Sequence, residues 1–232
     1  MKLSPIPAMP VLLSVTGGYV DTAGYLALQG LFTAHVTGNF VTLGATLVTG
    51  TSGVLAKLLA LPTFCLMIIL TRWASYGLPR RGLPILRTML SLKVLLLAIA
   101  ALLAIHFGPF SSGDSGAAIA TGLTLVAAMA IQNAAQRIHL GSLPPTTIMT
   151  GTTTQIMIDL TDLLRGMPQD KGAAARGRLV RMAAAVLAFG CGCAAAAILY
   201  DRTGVYCFLV PPLLGLGTLT FRMTAFESTS RN

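Results

Sequence analysis

Apolar residues run along this chain in eight long segments, which short polar or glycine- and proline-containing stretches separate. Several of them, such as 89–107 and 182–199, carry almost no charge and approach the roughly 20 residues that a helix needs to cross a bilayer. The pattern predicts an all-α integral membrane protein. The eight segments lie at 8–28, 33–50, 54–78, 87–107, 116–137, 146–164, 180–200 and 205–224.

Two polar, glycine-centred stretches interrupt this pattern at matching points of the two halves of the chain. Residues 33–41 read Thr-Ala-His-Val-Thr-Gly-Asn-Phe-Val, and residues 146–154 read Thr-Thr-Ile-Met-Thr-Gly-Thr-Thr-Thr. Asp21 precedes the first, whereas Gln132 and Asn133 precede the second. A polar break repeated in two halves of a membrane protein points to a central binding site or pathway.

Composition supports a membrane protein and limits the kinds of partner that we expect it to bind. The chain is 54% hydrophobic and 10% charged, whereas soluble domains are about 25% charged. The net charge of +9 comes from Lys and Arg between the apolar segments, where basic residues mark cytoplasmic loops and contact anionic lipid headgroups. Because no basic stripe alternates with aromatic residues, we expect membrane lipids as partners and no nucleic acid.

The distribution of basic residues favours one topology. The loop at 108–115 has one acid and no basic residue, which predicts an extracytoplasmic position. If all eight segments crossed the membrane, nine of the 16 basic residues would lie outside. If 33–50 and 146–164 each enter and leave by the same face, only Lys57 and Arg202 lie outside.

The second arrangement predicts six spanning helices plus two re-entrant half-helices in a 3+3 inverted repeat. Both termini are then cytoplasmic. The whole chain forms a single membrane domain, with one repeat at 1–110 and the other at 111–232.

The Thr-Gly turns suggest what kind of solute the centre of the protein would bind. Each re-entrant segment is expected to turn at Thr-Gly and return as a short helix, with Thr37 or Asn39 and Thr150 or Thr152 as N-caps. Two half-helix N-termini with free N–H groups would then attract an anion or a strongly polar solute. The predicted solute-binding residues are Thr37, Gly38, Asn39, Thr150, Gly151 and Thr152.

Four further polar residues are candidates for coupling or for lining the path. Asp21 lies inside an apolar segment, so it is either a proton-coupling group or a brace for a helix break at the neighbouring glycine pair. His35 either lines the path or packs through a hydrogen bond. Gln132 and Asn133 are expected to bond to the backbone of the second polar segment.

Other features favour structural roles. Asp159 and Asp162 are expected to pair with Arg165 or Arg137. The small residues of 190–197 predict a close helix contact, which a second subunit could supply in a homo-oligomer. The thiols of Cys191 and Cys193 would point about 200° apart on a helix, so we expect no metal site there. No catalytic motif is present, and we expect neither an enzyme nor a cofactor.

The chain also resembles a known family. Residues 21–26 (Asp-Thr-Ala-Gly-Tyr-Leu) with 32–39 (Phe-Thr-Ala-His-Val-Thr-Gly-Asn), and residues 132–134 (Gln-Asn-Ala) with 146–152, are similar to the marked regions of the YoaK-like family of uncharacterised bacterial membrane proteins. The resemblance implies a multi-spanning protein of the bacterial inner membrane and says little about activity.

Two classes of function follow. The first is a transporter or channel for a small anionic or polar solute, bound at a midplane site. The alternative is a non-transporting membrane scaffold, or a protein that binds lipid or a partner, in which the polar segments only pack against each other.

Overall fold

The computed structural model describes residues 8–78, 82–166 and 168–220, with only the backbone at 169 and 170. These residues form helices and no strand, as the apolar pattern predicts. A 3-10 turn at Gly204–Leu209 joins the last two helices. The helices are α1 (Ala8–Ala27), α2 (Gly38–Thr49), α3 (Val54–Gly77), α4 (Ile85–Phe107), α5 (Gly116–His139), α6 (Met149–Leu164), α7 (Gln169–Thr203) and α8 (Val210–Thr220).

Two predicted segments differ from the helices observed. The segment predicted at 180–200 begins earlier, at Gln169, because alanines and arginines favour a helix even where apolar residues are few. The segment predicted at 205–224 begins instead as the 3-10 turn, and α8 follows it. Its last residues, 221–224, lie outside the described residues.

Four stretches of the described chain are long and apolar enough to cross a membrane. Three of them coincide with α3, α4 and α5. The fourth, Lys171–Thr220, has 50 residues and contains α7 from its third residue onward, the 3-10 turn and α8. This is the pattern of a multi-pass helical membrane protein.

The centre of the bundle is built around α1 and α5. α1 packs against α7 and α8, and α5 packs against α3 and α4. α2 lies against α3, and α6 lies against α7, both at the periphery. Apolar side chains on these two short helices, including Val41, Val48 and Leu164, are mostly exposed.

Glycines bring α1 and α7 close together. A Cβ atom at Gly18 would overlap the carbonyl oxygen of Phe189, and a Cβ at Gly192 would overlap that of Val15. The hydroxyl of Tyr19 donates to the Cys207 carbonyl oxygen at 2.8 Å. The close contact predicted for 190–197 is therefore found within the chain, at Gly192.

One end of the bundle is tied together by Asp114, and we call it the Asp114 end. The carboxylate of Asp114 accepts backbone N–H bonds from Gly53 (2.7 Å) and Leu55 (2.8 Å), at the start of α3. Gln29, just after α1, lies against Gly53 and Gly113. The end of α1, the start of α3 and the loop at 108–115 therefore share this end.

The opposite end is defined by a small apolar cluster, and we call it the Leu140 end. Met9, Leu13, Leu90 and Leu140 are buried together there. This cluster joins the first half of α1, the first half of α4 and the loop that follows α5. Leu219, near the end of α8, packs against the same cluster.

The Asp114 contact predicts a pH-dependent contribution to stability. Burial raises the pKa of the Asp114 carboxyl, but the N–H groups of Gly53, Leu55 and Val54 together lower it further, so the net pKa lies below its ordinary value of 3.8. The carboxylate therefore stabilises the folded state above the ordinary pKa. This stabilisation is lost as the pH falls through the lowered pKa.

Asp114→Asn keeps one acceptor oxygen but removes the charge near the helix N-terminus, so we expect it to reduce the free energy of unfolding by about 0.3–1 kcal/mol at neutral pH. The difference from the wild type should shrink on acidification. Denaturant unfolding in detergent would measure it, with Asp201→Asn as the control because Asp201 is exposed and makes only a 3.7 Å contact to Arg202. Equal effects of the two substitutions would contradict the capping role.

Candidate functional site

Asp21 holds the first polar loop, residues 28–37, against α1. Its Oδ1 atom accepts backbone N–H bonds from Thr33 and Ala34, each at 2.8 Å. Its Oδ2 atom lies 3.0 Å from Nδ1 of His35. Since Asp21 is only 4% exposed, these contacts use most of its bonding capacity. Asp21 therefore braces the first polar loop and not a helix break, because α1 continues through Gly17 and Gly18 without interruption. His35 both bonds to Asp21 and lines the cavity beside it.

At the start of α2, the first backbone N–H groups are bonded within the turn that leads into the helix. The N–H groups of Gly38, Asn39 and Phe40 donate to the carbonyls of His35, Val36 and Thr37. Thr37 occupies the N-cap position, as predicted, but its side chain makes no capping bond. The Asn39 side chain forms two 2.8 Å bonds with the backbone of Phe32, so its amide closes the loop.

At the start of α6, by contrast, the first backbone N–H groups are not bonded in this way. Ile148 is its N-cap, so neither Thr150 nor Thr152 caps the helix as predicted. The hydroxyl of Thr152 turns back to the Ile148 carbonyl oxygen at 2.8 Å, as threonine does inside a helix. No acceptor within the described residues pairs with the backbone N–H groups of 149–151. Of the two predicted half-helix N-termini, only this one presents free donors.

Amides on α5 hold the second polar loop, residues 140–148. Gln132 donates to the Leu13 carbonyl oxygen (2.9 Å) and to the Thr146 hydroxyl (3.0 Å). Asn133 accepts a 2.7 Å bond from the Thr147 hydroxyl. Gln132 and Asn133 thus bind the second segment as predicted, although through threonine side chains rather than its backbone.

Gln136 is a third amide of α5 that bonds to the second polar loop, and it was not predicted from the sequence. Its Nε2 atom donates to the carbonyls of Leu140, Leu143 and Pro144. The available signal was its spacing, since a residue four positions after Gln132 lies on the same face of a helix.

The two polar loops meet on one face of α1. Asp21 binds the first loop, and Gly17, one turn earlier, lies against Thr146 and Thr147 of the second. A Cβ atom at Gly17 would lie only 2.9 Å from the carbonyl oxygen of Thr146. We call this place the loop junction. It lies in the middle of α1, between the two ends of the bundle.

A cavity lies beside each of the polar loops. The Asp21 cavity, of about 440 Å³, lies between α1, the first loop and α7; it is lined by Asp21, Thr22, Tyr25, Phe32, His35, Gly38, Phe189 and Cys193. The arginine cavity, of about 390 Å³, lies between α5, the second loop, α6 and α7. Its polar wall includes Asn133, Gln136, Arg137, Thr147, Gly151, Thr152, Arg178 and Arg181.

The predicted solute-binding residues are thus divided among several surfaces. Gly38 lines the Asp21 cavity, and Gly151 and Thr152 line the arginine cavity. Thr150 lines a broad groove of about 900 Å³ along the outer face of α6. Thr37 and Asn39 line none of these three spaces.

Charged residues near the cavities are paired differently from the prediction. Asp159, which is 2% exposed, binds Arg178 through two hydrogen bonds of 2.8 and 2.6 Å. The prediction of Arg165 or Arg137 as its partner is wrong. Because α6 and α7 form a hairpin, Asp159 faces a residue well along α7 rather than the basic residue nearest in sequence.

Two buried lysines were also missed as structural or functional groups. Lys93 on α4 is fully buried, and its Nζ atom has no hydrogen-bond partner among the described residues. Lys57 on α3 is 4% exposed and donates to the Thr46 hydroxyl at 2.8 Å, which ties α2 to α3. The signal for Lys93 was an isolated cation within an apolar segment.

Comparison with known proteins places the chain in a family. Neither the curated proteins nor the solved structures include a significant match to it. The model of the family DUF1275, described as "Protein of unknown function", matches residues 9–221. This match covers most of the chain and agrees with the resemblance carried by the two polar regions. The chain therefore belongs to the DUF1275 family.

Proposed function

We propose that this protein moves a small anionic or polar solute across the membrane, past the loop junction on α1. The observation that carries the proposal is that two polar loops from different halves of the chain lie against this junction and that each loop has a cavity beside it. Polar, non-helical backbone at membrane depth is tolerated where it is buried in protein or lines a water-filled space. The two cavities provide such a space beside each loop.

The packing favours two re-entrant segments. Gln29 precedes the first polar segment and Gly53 follows it, and these two residues lie against each other at the Asp114 end. The chain between them therefore returns to the end from which it left. On the other side, the amides of Gln132 and Gln136 draw the second loop back along α5 from the Leu140 end.

The helix contacts also favour an inverted repeat. The contact of α1 with α7 corresponds to that of α5 with α3, and the contact of α8 with α1 corresponds to that of α4 with α5. In this arrangement six helical segments cross, three in each half. Together with the basic-residue distribution and the family resemblance, it supports a bacterial inner-membrane protein with both termini in the cytoplasm.

The charges favour an anionic solute. The open N-terminus of α6 carries a partial positive charge and lies at the arginine cavity. Because turn bonds occupy the first N–H groups of α2, attraction of an anion is assigned mainly to the second half. The two halves thus contribute unequally to the site.

Passage requires the loop junction to open. Thr33, Gln132 and Thr146 are each at most 1% exposed, and their hydrogen bonds join the loops to α1 and α5. A carrier would open this junction to one side at a time, whereas a channel would open it to both. The alternative function, a scaffold or a protein that binds lipid or a partner, requires the junction to stay closed.

A cysteine accessibility experiment separates transport from the alternative. Starting from a variant without the four native cysteines, we expect Gly151→Cys and Gly38→Cys to react with a small, membrane-impermeant thiol reagent. A Cβ at Gly151 meets no atom within 4 Å, whereas at Gly38 it would approach the Phe32 ring at 3.0 Å, so the first variant is the less perturbing.

Gly190→Cys is the matched control, because Gly190 lies on the exposed face of α7 and also has open space. This residue should be covered by lipid and react at least about tenfold more slowly than a cysteine in a wet cavity. Protection of both 38 and 151 at the level of 190 would favour the scaffold.

Substitution of Asp21 separates bracing from proton coupling. Asp21→Ala leaves two buried N–H groups without an acceptor, and each costs about 1–3 kcal/mol. Asp21→Asn keeps an oxygen for these bonds but removes the charge. We therefore expect Asp21→Ala to unfold at a lower denaturant concentration and Asp21→Asn to retain most of the stability.

Anion flux into liposomes gives the functional half of this test. If Asp21 is a brace, Asp21→Asn should retain flux within about threefold of the wild type, equivalent to less than 1 kcal/mol in the barrier. Loss of flux in a stably folded Asp21→Asn protein would show instead that the charge is coupled to solute movement.

A further inference from the structure

The arginine cavity carries positive charge that the described residues do not neutralise. Arg178 is bound by Asp159, but Arg137 and Arg181 form no ion pair within the described part of the chain. No acidic residue is among the described residues that line the cavity. Two arginines, one from α5 and one from α7, therefore line a space of about 390 Å³ without a counter-charge among the described lining residues.

The same cavity includes backbone donors. Gly151 lines it, within the group of N–H donors at 149–151 that have no acceptor among the described residues. Gly151 has no side chain to obstruct an approaching ligand, and the space beside its Cα is open. Guanidinium groups and helix N-terminal N–H groups together are the donors that bind oxyanions in proteins.

A buried amide in the wall of the cavity has an oxygen that lacks a hydrogen-bond donor from the residues that the structure describes. Gln136 lines the cavity and is 8% exposed, and its Oε1 atom has no donor among the described residues. The Nε2 atom is fixed by three carbonyl groups, which leaves Oε1 as the acceptor. The Oε1 atom itself is buried, so a ligand in the cavity reaches it only after a shift of the Gln136 side chain or of the second loop.

We propose that the arginine cavity binds a phosphate group, either as inorganic phosphate or as the headgroup of an anionic phospholipid. Arg137 and Arg181 contact its oxygens, and the start of α6 donates N–H bonds. Basic pockets between membrane helices at the cytoplasmic side bind such headgroups. The inference deepens the proposed function, because it names the class of anion that the second half would hold.

The corresponding cavity of the first half has the opposite character. It contains the Asp21 carboxylate paired with His35, and the start of α2 is closed by turn bonds. A phosphate group would meet a carboxylate there instead of arginines. The binding is therefore assigned to one repeat only.

Binding to the purified full-length protein in detergent tests this inference without requiring transport. Isothermal titration with inorganic phosphate, and separately with short-chain phosphatidylglycerol, should give saturable binding of at least one of them. Short-chain phosphatidylcholine is the comparison for a headgroup that carries no net charge. Binding of phosphate identifies the free ion, whereas binding of phosphatidylglycerol alone identifies a lipid headgroup.

The variants are chosen so that loss of folding cannot imitate loss of binding. We expect Arg137→Gln and Arg181→Gln each to weaken binding about tenfold, and Arg176→Gln, an exposed arginine of α7 outside the cavity, to leave it unchanged. Gly151→Asp should abolish binding by placing a negative charge in the cavity. Gly151→Asn, nearly the same in shape, should retain most of it.

Three results would overturn the inference: no binding of either probe, equal binding of phosphatidylcholine, or equal losses in Arg176→Gln and Arg181→Gln. These results are distinct from a failure of the proposed function. A protein that binds phosphate through the arginine cavity but gives no anion flux in liposomes would refute transport and leave the site standing.

Discussion

Backbone that leaves the helical conformation inside an apolar protein needs hydrogen-bond partners, and this requirement shapes the centre of the molecule. Two loops, at 28–37 and 140–148, run back toward the middle of α1. The first is satisfied by the Asp21 carboxylate and the Asn39 amide. The second is satisfied by Gln132 and Gln136 of α5. Because these polar groups are buried and bonded, the loops have defined positions, and the cavities beside them follow from those positions.

The two halves use the same arrangement with different chemistry. An acid on α1 holds the first loop by its backbone, whereas amides on α5 hold the second largely through threonine hydroxyls. At the start of α2 the turn bonds occupy the N–H groups, while at the start of α6 they remain open. An inverted repeat with such differences can bind a solute in one half and serve mainly as a support in the other.

The sequence predicted the helical class and most helix boundaries, because hydrophobic length and glycine or proline breaks are local signals. It also placed Asp21, Gln132 and Asn133 beside the polar loops. Side-chain partners were harder to predict. The pairing of Asp159 with Arg178 depends on how the α6–α7 hairpin closes, and the N-cap at Ile148 depends on a loop held by distant amides. Lys93 shows the same limit, since its burial arises from packing between helices.

Transport past the loop junction, as proposed, requires each polar segment to enter and leave by one face of the membrane. Labelling of single cysteines with an impermeant reagent, applied from each side, tests this most directly. Gln29 and Thr51 flank the first segment, Ser142 and Arg165 flank the second, and all four are exposed. The account predicts that 29 and 51 react from outside the cell and that 142 and 165 react from the cytoplasm. Reaction of 29 and 51 from opposite sides would contradict it.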